Sequence, residues 1–355
     1  GFEYKEDFET ATNAAKHGGF TTLLASPNTN PVLDAKSGVN FINKFGKNKL
    51  VEILSLGAIT QNGEGVDLSE MIDLHNAGAI AFTNVKDKIS IGLVQRALEY
   101  VKSFNGVLLL RPFCNDLEQN AQMNESRVSV SLGMKGMPSV WESASVDQYI
   151  KALEYTNSAI HVLGISTKES VDLIKSAKKR GLNITCSINP IYLLYQDEML
   201  HGFDTNLKLH PPLRSSIDQK ALVKGIKDGT IDCFHTDHTP VEEEGKKVTF
   251  QQANFGMINL QTAFSISWMT LRDEISHDQL LSMWSHNPRE ILKSKRTIID
   301  RGEEACMSVF DPAQEYVFNF NEIQSKSKNS PFINETLVGK PLGVINNNSR
   351  FISKI

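Results

Sequence analysis

The sequence predicts an α/β fold, a (β/α)8 TIM barrel, on three observations. Short, wholly apolar runs recur along the chain, each is followed by a stretch of helical period, and the pattern breaks only near residue 295. Parallel strands buried on both faces need apolar runs of this kind, and their alternation with helices marks a parallel sheet covered by helices. A length of 355 residues suits one such barrel.

In order, strands are expected at 21–26, 51–58, 79–83, 107–111, 160–165, 183–188 and 232–237. Helices are expected at 6–17, at 168–180 with Gly181 as a C-cap signal, and at 216–227 before Asp228-Gly229. A closed barrel needs eight strands. The opening Gly1-Phe2-Glu3-Tyr4 reads as a polar loop, so the first strand is expected upstream of Gly1. Residues 1–295 form the expected barrel, and 296–355 a small C-terminal β appendage beside it, with short strands at 297–309 and 316–319. No internal repeat stands out.

The composition is that of a globular domain, with 40% hydrophobic and 22% charged residues. A net charge of -4 and the lack of a long basic run argue against nucleic acid and acidic membrane surfaces. Runs such as Val107-Leu108-Leu109-Leu110 are too short to span a bilayer. No signal peptide is visible, and Cys114, Cys186, Cys233 and Cys306 show no CxxC spacing, which fits reduced thiols in a cytoplasmic protein.

Several blocks, in order, resemble the dihydroorotases. They are the run from Glu6-Asp7 to Gly18-Gly19-Phe20-Thr21-Thr22, Ser26-Pro27-Asn28-Thr29-Asn30-Pro31, Gly133-Met134-Lys135-Gly136-Met137-Pro138, Ile165-Ser166-Thr167 and Pro211-Pro212-Leu213-Arg214. Asp228-Gly229-Thr230-Ile231-Asp232, Thr236-Asp237-His238-Thr239-Pro240, Asn329-Ser330-Pro331-Phe332 and Leu337-Val338-Gly339-Lys340 complete the series. The resemblance implies a barrel of the metal-dependent hydrolase type, with zinc at the C-terminal mouth. Metal-bound hydroxide would interconvert dihydroorotate and N-carbamoyl-aspartate. The metal acidifies water and polarises the amide, and a carboxylate carries protons.

Position by position, the resemblance fits this chemistry poorly. The family's His-x-His motif falls before Gly1. Phe113 stands where the fifth-strand histidine is expected, and Gly164 where the sixth-strand ligand is, with His161 keeping the first histidine of that stretch. Ile191-Tyr192 replace a pair of histidines, and the fourth-strand acidic position falls near Asn84 and Val85, with Asp87 as a substitute. Asp237 survives as the implied metal-binding carboxylate and proton shuttle, and Asn28 and His238 as implied substrate-binding residues. Asp237 is equally readable as a structural carboxylate at a strand end. A rebuilt zinc site from His210, His235 and Asp237 is conceivable, because residues two apart on a strand share a face. Arg111, two residues before Phe113, is expected to face the interior and to pair with Asp237 in the space vacated by metal. The alternative is that Pro112 distorts the strand end and lets Arg111 reach solvent.

Other features read plainly. Gly133 to Gly136 lacks the P-loop pattern and is expected to be a turn, Ser166-Thr167 to cap a helix, and Phe264, Trp268 and Trp284 to be core. Glu242-Glu243-Glu244 beside Lys246-Lys247 is expected to form a solvated loop.

The leading expectation is a non-catalytic dihydroorotase-like protein of pyrimidine biosynthesis. As the resemblance implies, it would partner aspartate transcarbamoylase and form a homo-oligomer. The alternatives are an active zinc-dependent dihydroorotase, and a barrel that binds a small anion through Asn28, Arg111 and His238 without turning it over.

Overall fold

The computed structural model describes residues 1–85, 89–112 and 120–353. A curled parallel sheet carries the order β1-β2-β3-β4-β7-β8-β9. Its strands are β1 (Thr22–Ala25), β2 (Glu52–Ala58), β3 (Ala81–Thr83) and β4 (Leu108–Leu110), then β7 (Ile160–Val162), β8 (Ile184–Ile188) and β9 (Cys233–Phe234). Between them, β5 (Met123–Asn124) and β6 (Gly136–Met137) form a separate two-stranded parallel pair. Every expected strand of the large sheet is present, each within its expected span. They were legible because Phe82, Leu108, Leu110, Cys186 and Ile188 are completely buried, which leaves no polar face to blur the pattern. No described helix is long and apolar enough to cross a membrane.

The helices start where capping side chains permit. Asp7 accepts from Thr10 N ahead of Phe8–His17, Thr167 from Ser170 N ahead of Lys168–Lys179, and Ser215 from Asp218 N ahead of Ser216–Lys227. Lys168–Lys179 packs Val171, Ile174 and Ala177 into the core shared with Ile184 and Cys186. The opposite face of β8, carrying Thr185 and Ser187, therefore looks into the curl of the sheet.

The C-terminal segment departs from expectation. One long irregular strand, β10 (Met307–Val317), replaces the two short ones, and β11 (Thr336–Asn346) and β12 (Ser349–Ile352) lie in the Ser- and Asn-rich tail. The tail pairs because β11 alternates: Leu337, Gly339, Pro341 and Gly343 point inward between partly exposed neighbours. Asn347 and Asn348, with φ of 48° and 56°, form the tight turn that returns β12. Gly339 is required, since a Cβ there would lie 2.5 Å from Trp268 Cδ1 at a φ of +83°. Trp268 is buried and Phe264 and Trp284 are half-buried against the core, as their helical positions suggested.

The loop after β9 is not a solvated charge run throughout. Glu243 and Glu244 are exposed, but Lys246 is buried, because its ammonium donates to Thr205 O and Asn254 O, both at 2.7 Å. Asn329 ties the same loop: its Oδ1 accepts from Val241 N at 3.1 Å and its Nδ2 donates to Thr239 O and Gly256 O. The Asn-Ser-Pro-Phe block is thus a brace for the segment that follows Asp237.

Candidate barrel-mouth site

The strand ends gather a small polar cluster. His161 on β7 is buried, and its Nδ1 and Nε2 lie 2.9 Å from Thr185 Oγ1 and 3.0 Å from Ser187 Oγ on β8. Burial, helped slightly by Lys178, lowers its pKa to about 3, so the ring is neutral. The unfolded histidine titrates near the usual 6.5, above the folded value. Below that pH the unfolded chain takes a proton that the folded one refuses, so stability falls as pH drops from 6.5 toward 3. His161→Asn should therefore flatten the decline in unfolding free energy between pH 6 and 4 by roughly 1 kcal/mol per pH unit. Urea titrations at several pH values measure this, and equal slopes in both proteins would refute the neutral, buried ring.

One layer higher sits His235, two residues past Cys233. Burial first, then the nearby Arg111 and His161, holds its imidazole neutral, well below the usual range. Its Nδ1 is shielded from solvent with no hydrogen-bond partner among the described residues. The ring lies against Gly164, where a Cβ would come within 3.2 Å of His235 Nε2 and 3.3 Å of Cε1. Gly164 has a φ of +83°, a conformation that a side chain would strain. The position that the resemblance gives to a metal ligand is thus a glycine with an imidazole from the end of β9, two strands along the sheet, pressed on it.

Asp237 follows at a φ of 46°, an uncommon backbone for a residue other than glycine and of the kind found at functional sites. Arg111, just past β4, donates from Nη2 to Asp237 Oδ1. The two side chains are 27% and 16% exposed, so this ion pair is largely withdrawn from water. Pro112 does not send the guanidinium out to solvent.

The remaining expected residues disperse. His238 accepts at Nδ1 from Asn259 N, 3.0 Å, and Leu260 N, 3.3 Å, which places its proton on Nε2, 3.3 Å from Glu6 Oε2. It joins Glu6, just ahead of the first helix, to the segment after β9. Asn28 is exposed, and His210 is half-buried with its ring edge-on to Phe255. Among the described residues no three His, Cys, Asp or Glu side chains converge as a metal site, so His210, His235 and Asp237 are not brought together in one. Phe113 and Asp87 lie outside the described residues, and Tyr192, where the resemblance implies a histidine, is buried with its hydroxyl donating to Pro211 O at 2.6 Å.

These residues do not fit a catalytic dication. Asp237, the carboxylate that the described residues bring to this cluster, is bound to a guanidinium. A divalent ion about 4 Å from that cation would meet repulsion on the order of 8 kcal/mol at an effective dielectric of 20.

A second buried cluster was missed in the sequence. Glu142 accepts from Ser166 N at 2.9 Å, Thr167 N at 3.0 Å and both hydroxyls, and Arg214 Nη2 lies 3.7 Å from it. Arg214 also donates to Ser166 Oγ, Asn124 Oδ1 and Met137 O at 2.9–3.0 Å. Three of the motif blocks meet here as a structural knot. Ser166-Thr167 does cap its helix, but Glu142 is the larger reason for the pair.

Residues 1–170 match the family model described as Dihydro-orotase-like. The dihydroorotase of Ruminiclostridium cellulolyticum is 38% identical over 96% of this chain and 81% of its own length. That of Acetivibrio thermocellus is 39% identical over 94% and 79%. Among solved structures, the L-hydantoinase (dihydropyrimidinase) of Arthrobacter aurescens superposes with a TM-score of 0.88 at 19% identity, over 99% of this chain and 82% of that one. The dihydropyrimidinase of Brevibacillus agri does so with a TM-score of 0.83 at 17% identity, over 98% and 80%. The fold is therefore that of the hydantoinases, and identity approaching two residues in five along nearly the whole length decides the closer kinship: the chain belongs to the dihydroorotase family.

Proposed function

We propose that this protein is a non-catalytic dihydroorotase, a cytoplasmic barrel that serves pyrimidine biosynthesis as a structural partner instead of a hydrolase. The observation that carries this reading is the state of the sixth-strand ligand position. Gly164 offers no side chain, and His235 fills the space beside it. Metal-assisted hydrolysis needs open coordination positions and a free carboxylate to move protons. Asp237 is instead engaged by Arg111, which removes that carboxylate from both tasks. Zinc, the family's metal, would have to be held without position 164. The partner that suits this role is aspartate transcarbamoylase, engaged by a homo-oligomer of this chain.

The competing reading is an active dihydroorotase, favoured by the 38% identity to a relative of that name. One experiment separates the two. The full-length protein, purified without chelator, is assayed for zinc by elemental analysis and for hydrolysis of dihydroorotate. The expected result is less than a tenth of an equivalent of zinc (~0.1) and turnover at the level of the buffer blank. Stoichiometric zinc together with turnover overturns the proposal.

A further inference from the structure

Arg111 is anchored before it reaches its partner. The Tyr149 hydroxyl donates to its carbonyl at 2.8 Å, and its own N–H donates to Asn84 Oδ1 at 3.4 Å. From this fixed backbone the guanidinium meets a carboxylate 126 residues away in sequence, across the mouth of the curled sheet. Two of the described side chains near Arg111 are neutral. His235 stays uncharged through burial and the nearness of Arg111, and burial pushes the Tyr192 phenol far above its usual range. One positive and one negative charge face each other beside these two uncharged rings. Asp237 is also held at a φ of 46°, in the left-handed region, at the strand end that carries the carboxylate.

We propose that Arg111 is a resident cation: beside Asp237 its guanidinium takes the electrostatic place that a divalent ion would hold, and it positions this strand end without metal. The proposal rests on the non-catalytic reading and adds to it a reason why the mouth stays ordered. A carboxylate stripped of its metal in a partly dehydrated site would be left uncompensated, and such a charge is strongly destabilising. Guanidinium suits the task better than ammonium, because its planar fork is weakly hydrated and stays charged at any pH of interest. Its function is positioning, exerted through Asp237, and it has no part in chemistry.

The test is a double-substitution cycle on the full-length protein, read as folding equilibrium constants from urea denaturation. Arg111→Met keeps most of the side chain's volume and removes the charge. It is expected to lower the constant by roughly a hundredfold in the native background, and by less than about tenfold when Asp237→Asn has already removed the carboxylate. Arg111→Lys should recover part of the loss, since it restores charge without the fork. The native protein's melting midpoint should not move with EDTA. Equal losses from Arg111→Met in both backgrounds would mean that Arg111 only fills space, and a midpoint lowered by EDTA would mean that a metal does this work; either overturns the proposal. Zinc-free protein without turnover but with equal losses would sink the role of Arg111 alone, so the two proposals fail separately.

Discussion

Replacing Glu142 by alanine should lower the unfolding free energy by about 3–5 kcal/mol, the largest loss expected from any single charged residue of this protein. Glu142 and Arg214 have side chains only 3% exposed, so water cannot take over either charge. The carboxylate is the acceptor for two backbone N–H groups and two hydroxyls from Ser166 and Thr167, where the strand β7 turns into the next helix. Removing it leaves those donors unsatisfied and takes from Arg214 the carboxylate 3.7 Å from its Nη2, and each such loss is worth more than the bond itself. Arg214 would keep Asn124 Oδ1 and Met137 O, at 3.0 and 2.9 Å, which bounds the damage. Glu142→Gln retains one acceptor oxygen and should cost distinctly less. Urea denaturation at neutral pH measures both, and a loss under about 1 kcal/mol for Glu142→Ala would show that the knot does not hold the sheet together.

The knot also explains what the sequence could and could not show. The strands were legible because their runs are apolar on both faces, and the helix ends because Thr167 and Ser215 are short polar residues ahead of periodic stretches. Met137, Ser166 and Arg214 sat in recognisable blocks, yet nothing in one dimension brings residues 48 or 77 positions apart to one guanidinium. Glu142 itself lies inside a helix of weak amphipathic pattern and looks like a surface acid. Lys246 misled in the same way, since a charge run gives no sign that two backbone carbonyls are waiting for one of its members. At the mouth, the chemistry of each position was readable from residue type, glycine and arginine above all. The left-handed backbone of Asp237 and the turning of His238 toward Glu6 were not, because both depend on loops that arrive from other parts of the chain.

Placing a histidine at position 164 should not create a metal ligand, and should destabilise the protein by roughly 2–4 kcal/mol. Two costs add. The backbone there has a φ of +83°, which any side chain strains, and the first carbon of that side chain would press on His235 Nε2 at 3.2 Å. They can be told apart. Gly164→His combined with His235→Ala should regain the contact term, on the order of 1–2 kcal/mol, and retain the backbone term. Gly164→Ala should show the backbone term with a smaller contact. If Gly164→His is tolerated to within about 0.5 kcal/mol, His235 is not held against this position, and the strongest physical support for a lost ligand site goes with it. If the costs appear as expected, one reverse substitution cannot bring zinc back: the imidazole of His235 must leave and Arg111 must release Asp237 before a dication finds either room or a free carboxylate. The arrangement at this mouth is then held by packing and charge together, and making room for a dication beside a free carboxylate requires at least three coordinated changes, at Gly164, His235 and Arg111.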